Sequence, residues 1–234
     1  ETARRIAARL AIPLPARADL GRRGGGAPRS APYREGLDEI DLDATLEVLA
    51  EQPRPADADI VMRDTPRPRR SIVLAVDVSG SMRGERLRTA AATVGALSGT
   101  LNDDRLAVLA FWSDAAWVAH LDSELSPRRT IDALLGIPAR GLTNVSFPLE
   151  LAARELAEVR EGARVVLLSD CVHNAGPDQR RIASSLPRLD VLLDRGGETD
   201  VELGRDLARL GGGRLLPIDG HRDVVPALRR ALGP

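Results

Sequence analysis

Three short segments of this 234-residue chain carry side-chain oxygens in a pattern that suits a hard metal ion. The first is Asp77-Val78-Ser79-Gly80-Ser81, which directly follows the apolar run Ile72-Val73-Leu74-Ala75-Val76. The second is Gly141-Leu142-Thr143-Asn144, and the third is Leu168-Ser169-Asp170 after Val165-Val166-Leu167. Mg2+ takes about six oxygen ligands at roughly 2.1 Å and usually keeps several waters. Ser79, Ser81 and Thr143 can supply neutral hydroxyl oxygens, while Asp77 and Asp170 offset the double charge directly or through water. A ligand set made mainly of hydroxyls leaves the cation under-neutralised. It then attracts an anionic ligand from outside, and an open position can accept one.

The elements that would position these residues follow from periodicity. Residues 72–76 read as a strand buried on both faces, being apolar throughout. Residues 84–101 fit a helix, with Leu87, Ala91, Val94 and Leu97 at helical spacing. Leu106 to Trp112 reads as a second strand, and Ser113-Asp114 turns it into an antiparallel third, Ala116 to Leu121. A helix starts at Ser126-Pro127 with Ser126 as cap; another spans 147–159. The strand 164–169 precedes a long loop and a helix near 178–186, then a strand over 190–193. Thr199 and Glu202 suggest a capping box for a helix ending at Leu210, which Gly211-Gly212-Gly213 would stop. A strand at 215–218 and a helix at 222–232 complete the series. Alternating strands and helices predict an α/β fold: a doubly wound, mostly parallel sheet with one antiparallel edge strand and helices on both faces. In such sheets ligands sit outside the carboxyl ends of the strands, where Asp77, Thr143 and Asp170 fall.

The first 70 residues differ. Residues 1–11 fit a short basic helix, and Pro13, Pro15, Gly24-Gly25-Gly26, Pro28 and Pro32 favour loop or extended chain. Residues 41–51 read as a helix that Asp43 can cap, with Leu42, Leu46 and Leu49 on one face; Pro53, Pro55, Pro66 and Pro68 follow. This gives two regions, an extension over 1–70 that packs on the main domain, and the domain itself over 71–234.

Composition excludes several chemistries. All of the 33 basic residues are arginine. A P-loop and Schiff-base catalysis both need a lysine and are therefore excluded. Acidic residues number 34, so the net charge of −1 points to neither nucleic acid nor an anionic membrane. Cys171 alone cannot form an internal disulfide, which fits a cytoplasmic protein. No apolar run reaches the length of a membrane span. The chain begins at Glu1 rather than methionine, which is compatible with processing or a longer protein.

Asp-x-Ser-x-Ser after a buried strand, a Gly-x-Thr segment and Leu-Ser-Asp after another strand together resemble the metal-ion-dependent adhesion site of von Willebrand factor A domains. The likeness covers about residues 71–234, with Asp77, Ser79 and Ser81 matching the first loop, Thr143 the second and Asp170 the third. It implies a non-enzymatic, Mg2+-dependent (or Mn2+-dependent) binding module whose metal takes an Asp or Glu carboxylate from a protein partner. Cys171 departs from the pattern, standing where relatives often have glycine, and so bears on loop shape while removing no ligand. The extension (41–50, 59–63 and the arginine-rich 67–70) resembles the ends of this domain in magnesium-chelatase D subunits and bacterial relatives. That implies a MoxR-type AAA+ ATPase as partner and an adaptor role in the cytoplasm.

Two alternatives compete with this reading. A Mg2+-dependent phosphohydrolase with an aspartate nucleophile would want a second aspartate where Ser79 stands, and a lysine on the phosphate. A secreted adhesion domain shares the fold but would usually carry disulfides. A Ser-His-Asp hydrolase lacks its Gly-x-Ser-x-Gly elbow. The bland assignments are a solvent-exposed loop for His173, surface positions for His120 and His221, an inert thiol at Cys171, and packing for Trp112 and Trp117. The glycine runs are expected to be loops, and the arginines at 22–23 and 67–70 a solvated linker.

Overall fold

The computed structural model describes residues 29–32, 39–51, 56, 59–64, 69–79, 85–100, 104–123, 126–137, 141–159 and 161–233. They form two compact units, one within residues 29–64 and one starting at Arg69. The expectations for residues 1–28, the prolines at 53, 55, 66 and 68, and Ser81 lie outside the described residues.

In the smaller unit, β1 (Arg29–Pro32) pairs antiparallel with β2 (Val61–Asp64), a strand pair the proline-rich sequence does not announce. Helix α1 (Leu42–Glu51) starts one residue later than expected, and its cap is Asp41 rather than Asp43: the Asp41 carboxylate accepts from Ala44 N at 3.4 Å and from Ser30 Oγ at 2.8 Å. The leucine face is a correction too. Leu42 and Leu46 are exposed, while the buried side chain is Thr45, whose hydroxyl exchanges hydrogen bonds with the Val61 backbone at 3.0 and 3.1 Å.

The larger unit is the doubly wound fold. Its strands are β3 (Ser71–Asp77), β4 (Arg105–Phe111), β5 (Ala115–Ala119), β6 (Ala163–Ser169), β7 (Leu189–Asp194) and β8 (Gly212–Ile218), in the order β5-β4-β3-β6-β7-β8. All pairings are parallel except β4 with β5. Residues 73–76 are fully buried because the strand is covered on both faces. Alternation then splits the core. Ile72, Leu74 and Val76 face α2 (Glu85–Thr100), α3 (Pro127–Gly136) and α7 (Val224–Leu232). Val73 and Ala75 face α4 (Ser146–Glu155), α5 (Arg180–Ala183) and α6 (Val201–Leu210). Among the described residues no helix is long and apolar enough to cross a membrane.

Several local expectations change. Ser126 makes no side-chain cap bond to α3. The capping box of α6 does not form: Asp200 is the cap, accepting from Leu203 N at 2.8 Å, and Thr199 Oγ1 donates instead to the Asp194 and Gly197 carbonyls. Of the three glycines thought to be a loop, Gly211 closes α6, but Gly212 and Gly213 open β8. Trp112 and Trp117 are partly buried against the two cores, as packing requires.

Candidate metal centre

The sheet order creates its own site. From β3 the chain passes to β4 on one side, while β6, β7 and β8 extend on the other, so the direction of winding reverses between β3 and β6. Helices on opposite faces leave a crevice at such a point. Asp77 closes β3 and Asp170 follows β6 directly, which puts the two carboxylates on neighbouring strand ends at that crevice.

Asp77 is fully buried. Its Oδ1 accepts from Ser79 N at 2.9 Å, the local bond of a turn that reverses the chain leaving the strand. Its Oδ2 accepts from Ser169 Oγ at 2.6 Å, across the β3–β6 pair. Burial pushes this carboxyl up to about 6; the bonds from Ser169 and Ser79 oppose the rise and the nearby Asp170 adds to it. Ser169 was not foreseen as a site residue. Its hydroxyl also accepts from Cys171 N at 2.9 Å, so one serine joins the end of β3 to the loop after β6.

That loop is held tightly. Asp170 Oδ1 accepts from Val172 N at 3.0 Å, and its carbonyl accepts from Asp200 N at 2.9 Å. Cys171 has φ +61°, the left-handed conformation glycine adopts most readily, so the loop keeps a glycine-like course despite the substitution. Its thiol is buried, and burial first, then Asp170, Asp77 and Asp200, push its pKa far up, which makes it inert.

Thr143 reaches the same edge by a double tie to this loop. Its N–H donates to Asn174 Oδ1 at 2.7 Å, and its carbonyl accepts from Asn174 N at 3.1 Å and Ala175 N at 3.2 Å. Asn144 N donates to Trp112 O at 2.8 Å, beyond the end of β4. Asn144 Oδ1 then accepts from Ser146 N and Phe147 N at 3.1 and 3.3 Å and so caps α4. His173, expected in solvent, is instead half-buried with Nδ1 accepting from Val145 N at 3.2 Å. Polar residues in a β-to-α loop were the only signal for these positioning side chains, and it does not single them out. Asn144→Ala should cost about 1 kcal/mol of stability, the usual loss of a helix cap. Urea unfolding beside wild type measures it, and an unchanged midpoint would show that the cap contributes nothing.

Asp77, Ser79, Asp170 and Thr143 therefore share one edge of the sheet, all buried or nearly so. The donor chemistry fits a hard cation. Two carboxylates and two hydroxyl-bearing residues lie at this edge, and no group of three or more His, Cys, Asp or Glu side chains converges among the described residues. A soft-metal cage is thus absent there, while an oxygen set suits Mg2+ or Mn2+.

Residues 72–176 match the model of the von Willebrand factor type A domain family. Over these residues the chain is similar to a von Willebrand factor type A domain. Its fold is shared with solved structures of low identity. An aerotolerance-related membrane protein from Bacteroides fragilis is 18% identical at a TM-score of 0.59, covering 70% of this chain and 98% of that one. The manganese-loaded TRAP protein of Plasmodium vivax is 20% identical at 0.58, covering 70% and 73%. Proximal thread matrix protein 1 of the mussel byssus, solved with a zinc-occupied adhesion-site motif, is 15% identical at 0.58, covering 70% and 47%. No curated protein matches the sequence. Domains of this family are in general non-enzymatic interaction modules.

Proposed function

We propose that this von Willebrand factor type A domain is a non-enzymatic binding module that holds Mg2+ or Mn2+ through Asp77, Ser79, Ser81, Thr143 and Asp170. The observation that carries the proposal is the pair of buried aspartates at the switch point between β3 and β6, one fixed by Ser169 and the other by its own loop. Burying two like charges side by side is costly, and a divalent cation offsets that cost. When bound, the ion supplies Lewis acidity and an open position for an anion. The chain's own residues orient it: Ser169 and the Ser79 amide fix Asp77, and Asn174 fixes the Thr143 backbone.

The partner is an Asp or Glu carboxylate on another protein, which completes both charge and coordination number. The chelatase-like character of residues 1–70, an extension of the domain, favours a MoxR-type AAA+ ATPase or a protein it remodels, in the cytoplasm. Thr143→Ala is expected to leave the fold intact, since Thr143 ties to Asn174 and Ala175 through its backbone, and to weaken partner capture at least tenfold. Pull-downs from the native host with wild type, Thr143→Ala and added EDTA test this. Equal recovery of the same partner in all three would place the interface elsewhere.

No phosphohydrolase activity is expected, because Ser79 occupies the place of a second aspartate and the chain has no lysine. Turnover of p-nitrophenyl phosphate that Asp77→Asn removes would overturn this.

A further inference from the structure

The sheet is charged in opposite senses at its two edges. Arg70 precedes β3, Arg164 is the second residue of β6, Arg188 precedes β7, and Arg214 sits early in β8. At the far ends Asp77 closes β3, Asp170 follows β6, Asp194 closes β7 and Asp219 follows β8, where it pairs with Arg195 at 2.6 Å. In an α/β fold the helices return antiparallel to the strands, so helix carboxyl ends, with their partial negative charge, lie at the strand-entry edge. The arginines meet that charge. Arg70 donates to the Leu232 carbonyl at 2.9 Å, Arg164 to that of Ala231 and Arg214 to that of Arg230, all in the last turn of α7.

The positive charge gathered there exceeds what that one turn needs. Arg229 and Arg230, both exposed, project from the same turn and bring the cluster to six guanidinium groups. Among the described residues, Asp190 and Asp104 pair with them. Asp190 is buried and shared by Arg188 at 3.0 Å and Arg164 at 3.7 Å, and Asp104 pairs with Arg70 at 2.8 Å. Burial, together with Arg188, Arg70 and Arg214, works against the charge on Arg164, while Asp190 supports it.

We propose that this arginine-rich edge is a second docking surface, one that takes an acidic segment of a partner protein and works without the metal. The guanidinium fork matches a carboxylate in two parallel hydrogen bonds, and Arg229 and Arg230, exposed beside the already paired Arg70, Arg164 and Arg188, offer two such forks to a run of Asp or Glu side chains. Nucleic acid is the weaker fit. The chain's net charge is −1, the opposite edge is acidic, and no aromatic side chain is interleaved with these arginines to stack on bases. The two edges are separated by strands of seven residues, roughly 23 Å. A carboxylate at the metal edge and an acidic segment at the arginine edge can therefore be held together, as an adaptor requires.

The test uses the whole chain and a fluorescein-labelled oligoglutamate peptide, read by fluorescence anisotropy. Binding is expected to persist in EDTA, where the metal edge cannot contribute, and to weaken steeply with salt. Arg229→Glu/Arg230→Glu, at two exposed positions, should weaken it roughly tenfold or more while Mg2+ binding by calorimetry stays unchanged; Arg229→Gln/Arg230→Gln provides a milder version if the reversal harms the helix end. Loss of binding in EDTA would move the peptide to the metal edge and overturn the proposal. Equal binding by the variants, no binding by wild type, or tighter binding of an oligonucleotide of equal charge would overturn it as well. The metal-site reading stands or falls separately, on the Mg2+ titration.

Discussion

Asp77→Asn is expected to stabilise the metal-free protein and to abolish its response to Mg2+. The Asp77 carboxyl is raised from its ordinary 3.8 to about 6, chiefly by burial. A folded-state value above the unfolded one means that the folded protein holds the proton more tightly. The stability this contributes is complete below the unfolded value and is lost as pH rises through about 6. The gap corresponds to ~3 kcal/mol for a buried group. Asparagine cannot ionise and keeps an oxygen for the Ser169 hydroxyl. In EDTA, urea unfolding of wild type and variant should therefore coincide near the acid end of this window, and the variant should lead by about 2–3 kcal/mol well above it. Mg2+ at a thousandfold excess over Kd reverses the order, because only the wild type binds and gains ~4.1 kcal/mol. A difference independent of pH, or equal Mg2+ stabilisation of both proteins, would contradict the role given to Asp77.

Gly213→Ala should cripple the fold although no site residue is touched. A Cβ at Gly213 would lie 2.0 Å from the Leu189 carbonyl oxygen and 2.5 Å from its carbon. Those are backbone atoms of β7, which cannot yield without breaking the β7–β8 pairing, itself irregular at this point. A loss of about 3 kcal/mol or more follows, in the class of overpacked cores. Gly212→Ala is the control: with φ +62° and nothing within 4 Å, it carries only the left-handed penalty of ~1 kcal/mol. Equal losses in the two variants, measured by urea unfolding, would mean that β8 does not approach β7 as described.

Read alone, the sequence determined the architecture of the larger unit and the sheet edge at which its candidate site residues lie. Apolar runs at 72–76 and 165–168 can only be strands covered on both faces, and oxygen-bearing residues directly after them must lie at the strands' carboxyl ends. Those are one-dimensional patterns whose physical meaning is fixed by periodicity. Capping was not legible in the same way. Thr199-x-x-Glu202 has the pattern of a capping box, yet Asp200 won because it is bonded through its own N–H to Asp170 and so starts the helix one residue later. Leu42 and Leu46 fit a helix face, but periodicity says which residues share a side and not whether anything covers it. Only the tertiary structure brought Ser169 to Asp77, across 92 positions of chain, and tied Thr143 to Asn174. It alone turned scattered arginines into one charged edge. Each of these depends on which strands become neighbours, and that is set by packing over the whole sheet rather than by any local run of residues.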